Sequence, residues 1–185
     1  RLPCDKAHTP KVRKVNIGLT GMPGTMKSAT GRALAALTGM TLVDTDEVIE
    51  REEGRSISEI FAEGGEARFR DLESEVIARE CARDGAIISF GGGAVIRAVN
   101  RERIKKSCFC VRLTATAECI ARRCCGDSRP LLLGDTLARV RQLAAEREEF
   151  YADCADMTVD TTDMGPDRAA EEILSAFEKA STSGK

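Results

Sequence analysis

Apolar and polar positions fall into short β-branched runs that alternate with longer stretches of helical spacing. Val15 to Leu19 reads as a short apolar strand, and Ser28 to Leu37 as a good helix-forming run. Thr41-Leu42-Val43 gives a second strand that ends at Asp44, and a helical stretch opens near Asp46. Ser56-x-x-Glu59 has the form of a capping box ahead of Ile60 and Phe61. From Glu66 to Ala82, Phe69, Leu72, Val76 and Ile77 recur at helical spacing and form one apolar stripe. Ala86 to Phe90 predicts a buried strand running into Gly91-Gly92-Gly93. Asn100 is a candidate cap for a short basic helix through Lys106; Cys108 to Leu113 is a fourth strand and Thr116 to Arg123 a helix. A loop containing Gly and Pro covers 124 to 135, and a long helix follows to about Ala155. Met157 to Val159 supplies a fifth strand, and Pro166, suited to a first helical position, opens a closing helix to Ala180. This βαβα order implies an α/β fold, a parallel sheet with helices on both faces and ligands at the carboxyl ends of its strands. Residues 1–12 are expected as a flexible tail or linker, 13–180 as one folded domain, and 181–185 as a disordered tail.

Composition narrows the function without naming it. A chain of 185 residues suits one domain with a real core. The formal charge of −2, with acids and bases interspersed, lacks the concentrated basic face that nucleic-acid binding needs. With one Tyr and no Trp, stacking platforms for bases are also not expected. No apolar run approaches the roughly 18 residues of a membrane span, since the longest, Ala86 to Ile96, is interrupted by three glycines. Of the eight cysteines, no two have C-x-x-C spacing, and the single histidine, His8, lies in the tail. Reduced structural thiols are therefore expected rather than zinc or disulfides, consistent with a cytoplasmic protein.

The chemistry concentrates in a few places. Gly21-Met22-Pro23-Gly24-Thr25-Met26-Lys27-Ser28 follows the pattern G-x-x-x-x-G-K-[S/T] between a strand and a helix, except that Met26 stands where glycine is expected. Such a loop cradles phosphates with backbone N–H groups at a helix N-terminus. Lys27 would neutralise the phosphates and Ser28 would ligate Mg²⁺; the alternative is a Gly/Pro turn before an ordinary helix. Asp44 and Asp46 flank the end of the second strand, where an extended chain would point both carboxylates into one crevice. One can orient a magnesium-bound water and the other accept a proton from a substrate hydroxyl, unless either serves only as a helix N-cap. The strand Ile87 to Phe90 ends in three glycines, which either admit a ligand to the backbone or merely turn the chain. Arg70 has Glu66 at i−4 and Glu73 at i+3. Exposed pairs of that kind contribute only about 0.2–0.5 kcal/mol, so fixing a guanidinium fork for a substrate carboxylate is the better reason for the cluster. Arg147, followed four residues on by Tyr151, offers a second arginine for the same carboxylate. Arg129-Pro130-Leu131-Leu132-Leu133-Gly134 suits a mobile lid carrying one cation, or else a solvated loop.

Together these elements resemble the shikimate kinase family over almost the whole chain, from about Val15 to Phe177. The motifs are D-T-D-E-V-I-E (44–50), S-I-S-E-I-F (56–61), G-E-A-R-F-R-D-L-E (65–73), F-G-G-G-A-V (90–95), R-P-L-L (129–132) and A-E-R-x-x-x-Y (145–151). The resemblance implies a three-layer α/β/α P-loop kinase fold with a five-stranded parallel sheet and a mobile lid. It also implies transfer of a phosphoryl group from ATP to the 3-hydroxyl of shikimate, with Mg²⁺. On matching positions, Asp46 would bind shikimate hydroxyls and act as base; Arg70 and Arg147 would clamp the carboxylate, and Gly91, Gly92 and Gly93 would line the ring. Lys27 and Arg129 would stabilise the phosphoryl group. Gly21, Gly24, Thr25, Met26, Lys27, Ser28 and Ala29 would hold the nucleotide phosphates, and Arg122 and Pro166 would flank the adenine. Ser28 would serve Mg²⁺ directly and Asp44 through water. Two positions depart from the family pattern: Met26 replaces the loop glycine, and Glu149 stands where proline is common. A monomer is expected. Because the chain begins with Arg rather than Met, origin in a multifunctional pathway protein is a further expectation. The alternative is a non-catalytic relative that keeps the substrate pocket but has lost effective use of ATP.

Overall fold

The computed structural model describes residues 15–124 and 135–182. Five parallel strands form one sheet in the order β2-β3-β1-β4-β5: β1 (Asn16–Thr20), β2 (Thr41–Asp44), β3 (Ala86–Ser89), β4 (Cys108–Thr114) and β5 (Met157–Asp160). Buried on both faces, these strands read as near-continuous apolar runs rather than alternating ones. The two faces feed different cores. Ile17, Leu19, Ile87, Val111 and Leu113 pack with Leu34 of α1 (Lys27–Thr38) and Ala169, Ala170 and Ile173 of α7 (Pro166–Thr182). Ile88, Cys108 and Cys110 pack on the other side against α3 (Ile57–Glu80), α4 (Ala98–Ser107) and α6 (Thr136–Cys154). A third cluster joins α2 (Thr45–Glu53) to α3 through Val48, Ile49, Ile60, Phe69 and Val76. The result is the expected three-layer α/β/α arrangement.

Local chemistry sets the boundaries. Ser56 and Glu59 form the full capping box that starts α3. Gly65, at φ 70° and ψ −179°, kinks that helix, so the capping-box segment and the Phe69–Ile77 stripe run as two arms. Thr116 and Asp135 cap α5 (Ala117–Arg123) and α6 through their side chains. Asn100 does not cap α4. Arg97 takes that position without a side-chain bond, and Asn100 lies fully buried inside the helix. Packing of α4 through Asn100 and Ile104 carried the helix one turn further back than the cap signal suggested. Six cysteines (81, 108, 110, 119, 124 and 154) are free thiols in the core; Cys4, Cys125 and His8 fall outside the described residues. Burial pushes the Cys110 thiol well above its ordinary range and Cys154 up to about 11, so both stay protonated. Among the described residues, no helix is long and apolar enough to cross a membrane.

Candidate active site

The carboxyl ends of β1, β2 and β3 open into one cavity of about 330 Å³, lined by Lys27, Asp44, Asp46, Arg70, Glu73 and Arg147 among others. The loop after β1 forms one wall of it. Gly21 has φ 142°, and a Cβ there would come within 2.3 Å of the Leu113 carbonyl, so no other residue fits. Lys27 donates from Nζ to the carbonyls of Gly21 (2.9 Å) and Met22 (3.0 Å), which places the ammonium over the loop. Thr25 Oγ1 donates to the Met22 carbonyl at 2.8 Å and closes the turn. Met26 N-caps α1 in the left-handed region, φ 66° and ψ 25°, and it alone among non-glycine residues described has a positive φ. The methionine thus adopts a left-handed conformation that glycine takes without steric cost.

At the end of β2, Asp44 Oδ2 accepts from Ser28 Oγ (2.7 Å) and Ser89 Oγ (3.0 Å), and Asp44 Oδ1 accepts from the Asp46 N–H (3.1 Å). Asp44 is therefore the N-cap of α2 and a partner of the loop serine at once. Asp46 sits in the first turn of α2, not in extended chain, yet both carboxylates line the cavity because the helix starts at the strand's last residue. The three glycines serve close approach more than donation. A Cβ on Gly91 would meet Asp46 Oδ1 at 2.4 Å, one on Gly92 the Pro23 ring at 2.9 Å, and one on Gly93 the Arg70 guanidinium at 2.1 Å. The Gly91 N–H is itself committed to Thr45 Oγ1 at 3.0 Å.

Arg70 is only 6% exposed and Glu73 1%. Arg70 Nη1 donates to Glu73 Oε2 at 2.8 Å, while its Nη2 and Nε reach Glu66 Oε1 at 3.0 and 3.2 Å. Burial alone would lower the Arg70 pKa, but the two carboxylates outweigh it and hold the guanidinium charged. Burial pushes the Glu73 carboxyl up, against the pull of Arg70, Arg147 and Arg97. Arg147, 5% exposed, donates to the Gly92 carbonyl at 3.1 Å, and Tyr151 donates to the same oxygen at 2.5 Å. Two buried guanidinium groups and a carboxylate at the loop's edge therefore share one small cleft.

The family model for shikimate kinase matches residues 23–178. The chain is 40% identical over 174 residues to the shikimate kinase of Symbiobacterium thermophilum, covering 92% of this chain and all of that one. It is 42% identical over 165 residues to that of Geobacter metallireducens, covering 88% and 92%. The solved shikimate kinase from Acinetobacter baumannii in complex with shikimate superimposes with a TM-score of 0.88 at 33% identity, covering 90% of this chain and 94% of that one. The chain belongs to the shikimate kinase family.

Most of the residues that the family pattern selects converge in this fold. Lys27, Ser28, Asp44, Asp46, Arg70, Gly92, Gly93 and Arg147 line one cavity, Gly91 backs it, and Gly21, Gly24, Thr25 and Met26 form the loop beside it. Ala29 follows in the first turn of α1, and Pro166 begins α7. Arg129 and the lid segment lie outside the described residues. Arg122 is exposed, whereas its neighbour Arg123 turns inward, donating to the Gly24 carbonyl (3.2 Å), Thr161 Oγ1 (3.1 Å) and the Thr161 carbonyl (2.7 Å). Two adjacent arginines on a short helix give no sequence signal for which one faces the loop. Thr161 was likewise visible only as an ordinary strand-end residue.

Ser28 and Asp44 fit a hard divalent cation. They present a hydroxyl and a carboxylate 2.7 Å apart beside the phosphate loop, and Mg²⁺ favours oxygen donors while keeping several waters.

Proposed function

We propose that this shikimate kinase family chain transfers the γ-phosphoryl group of ATP to the 3-hydroxyl of shikimate in the described cavity. The observation that carries the reading is the pairing of buried Arg70 and Arg147 with Asp46 in one cleft that also contains Lys27. Two fixed guanidinium forks suit a carboxylate substrate, and the glycines let Asp46 and Arg70 lie close against the cavity wall. Asp46, which lines the cavity, would accept the proton of a ring hydroxyl as its oxygen attacks phosphorus. The phosphate loop positions ATP, and Lys27 with Arg129 neutralises charge on the transferring group. Mg²⁺, held by Ser28 and through water by Asp44, would supply further charge neutralisation on the phosphates. The left-handed backbone at Met26, where the loop pattern calls for glycine, supports this reading over a non-catalytic binding protein. The retained thiols in the core fit a reducing, cytoplasmic setting.

Asp46→Asn tests the assignment. The change removes a charge without changing volume, so the fold should persist and turnover should fall by roughly 10²–10⁴-fold. A folded Asp46→Asn variant with near wild-type turnover would remove Asp46 from the mechanism.

A further inference from the structure

Met26 poses a question that the kinase reading leaves open. A left-handed backbone at a residue with a Cβ is costly, and such strain persists only where the surroundings over-determine it. If the loop were free to relax, nucleotide would have to drive Met26 back to φ 66°, a penalty of about 5–30-fold in affinity. The structure instead surrounds the loop with fixed contacts. Thr161, fully buried just after β5, is the hub. Its Oγ1 accepts from Arg123 Nη1 at 3.1 Å, and its single proton faces the carbonyls of Thr114 (2.9 Å) and Thr25 (3.4 Å). Its N–H donates to the Thr114 carbonyl at 2.8 Å, which locks the turn to β4. The Arg123 guanidinium joins the Thr161 carbonyl to the Gly24 carbonyl. The end of α5 leans on the same place, since a Cβ on Gly24 would meet Cys124 Sγ at 2.7 Å. Gly24, two residues before Met26, is thus tied from outside the loop by Arg123, and the Thr161 hydroxyl lies against the Thr25 carbonyl.

We propose that Thr161 and Arg123 are positioning residues that hold the phosphate loop in its nucleotide-ready shape, so that the cost of Met26 falls on folding rather than on ATP binding. The proposal rests on the kinase reading. It predicts that Met26→Gly alone stabilises the fold but changes ATP affinity less than about 3-fold. It also predicts that the clamp matters only while residue 26 carries a side chain.

The test is a double-mutant cycle, with Mg²⁺·ATP titrated into the full chain and the shikimate KM measured alongside. Thr161→Val should raise the ATP Kd by roughly 5–30-fold in the native background and by less than about 3-fold in the Met26→Gly background. Thr161→Ser, which keeps the hydroxyl, should bind ATP like the native chain. The shikimate KM should not move in any of them. If Thr161→Val does not fold, Arg123→Lys, which keeps charge but loses the fork, is measured in the same two backgrounds. An equal loss of ATP affinity in both backgrounds, or no loss in either, overturns the clamp while leaving the kinase reading intact. Absence of ATP binding by both the native chain and Met26→Gly sinks the kinase reading itself.

Discussion

Arg70 is bonded to a carboxylate that has almost no access to water, so its removal should affect folding and substrate binding by separable amounts. In Arg70→Met the Glu73 carboxylate, 1% exposed, stays buried without its main partner. Breaking a buried pair from one side costs about 3–5 kcal/mol. The second partner, Glu66, is half exposed and adds little to that figure. For a domain of this size the melting temperature should drop by roughly 6–20 °C. Because burial already raises the Glu73 pKa, losing the arginine should raise it further. A carboxyl whose folded pKa is raised destabilises the fold as pH climbs from its ordinary value of 4.5 through the raised one, so the deficit of Arg70→Met should shrink on acidification. Arg70→Met/Glu73→Gln should recover most of the stability, since no buried charge is left alone. Shikimate affinity should not recover, because the charge-assisted bonds to its carboxylate, about 1.5–3 kcal/mol, are still missing. That corresponds to a roughly 10–150-fold weaker Kd. Denaturant melts at several pH values give the first quantity and calorimetric titration of shikimate the second. A double variant that binds shikimate like the native chain would refute the placement of Arg70 on the substrate.

Other expectations follow from the same geometry. Gly91→Ala and Gly93→Ala should fold but bind shikimate at least several-fold more weakly, because the new methyls displace Asp46 and Arg70; titration of each variant checks this. Tyr151 is raised from 10.0 to about 12 by burial, so the stability its protonated form contributes is complete below pH 10 and lost as pH rises to about 12. Over that window the native chain should lose about 2–3 kcal/mol more than Tyr151→Phe in urea melts. Arg129→Ala should lower turnover more than shikimate affinity, since its charge is needed most when the phosphoryl group is in transit; steady-state kinetics with a parallel binding titration separates the two.

How far the sequence disclosed this depends on the kind of signal. Strand positions were legible, because strands buried on both faces leave continuous apolar runs such as Ile87-Ile88 and Cys110-Val111. Arg70 was legible from its i−4 and i+3 carboxylates, and the structure adds that the pair with Glu73 is buried, which turns a weak surface pair into a strong constraint. The convergence of Asp44 and Asp46 was legible, although its cause was not: a helix beginning directly at Asp44 replaces the extended chain. The role of the glycines was half legible. Their position at the end of β3 marked close approach, but only the fold shows that Asp46, Pro23 and Arg70 are what come close. The inward turn of Arg123 and the hub at Thr161 left no pattern, because both depend on contacts between segments up to 136 residues apart in sequence.

A cavity that couples ATP to shikimate must release ADP only as shikimate is phosphorylated. The direct measurement is ADP release by the native chain with Mg²⁺ and millimolar ATP, in the presence and absence of shikimate, with the phosphorylated product quantified. ADP release should depend on shikimate and match product one for one. ADP release that shikimate does not raise, with no phosphorylated shikimate formed, would contradict this coupling.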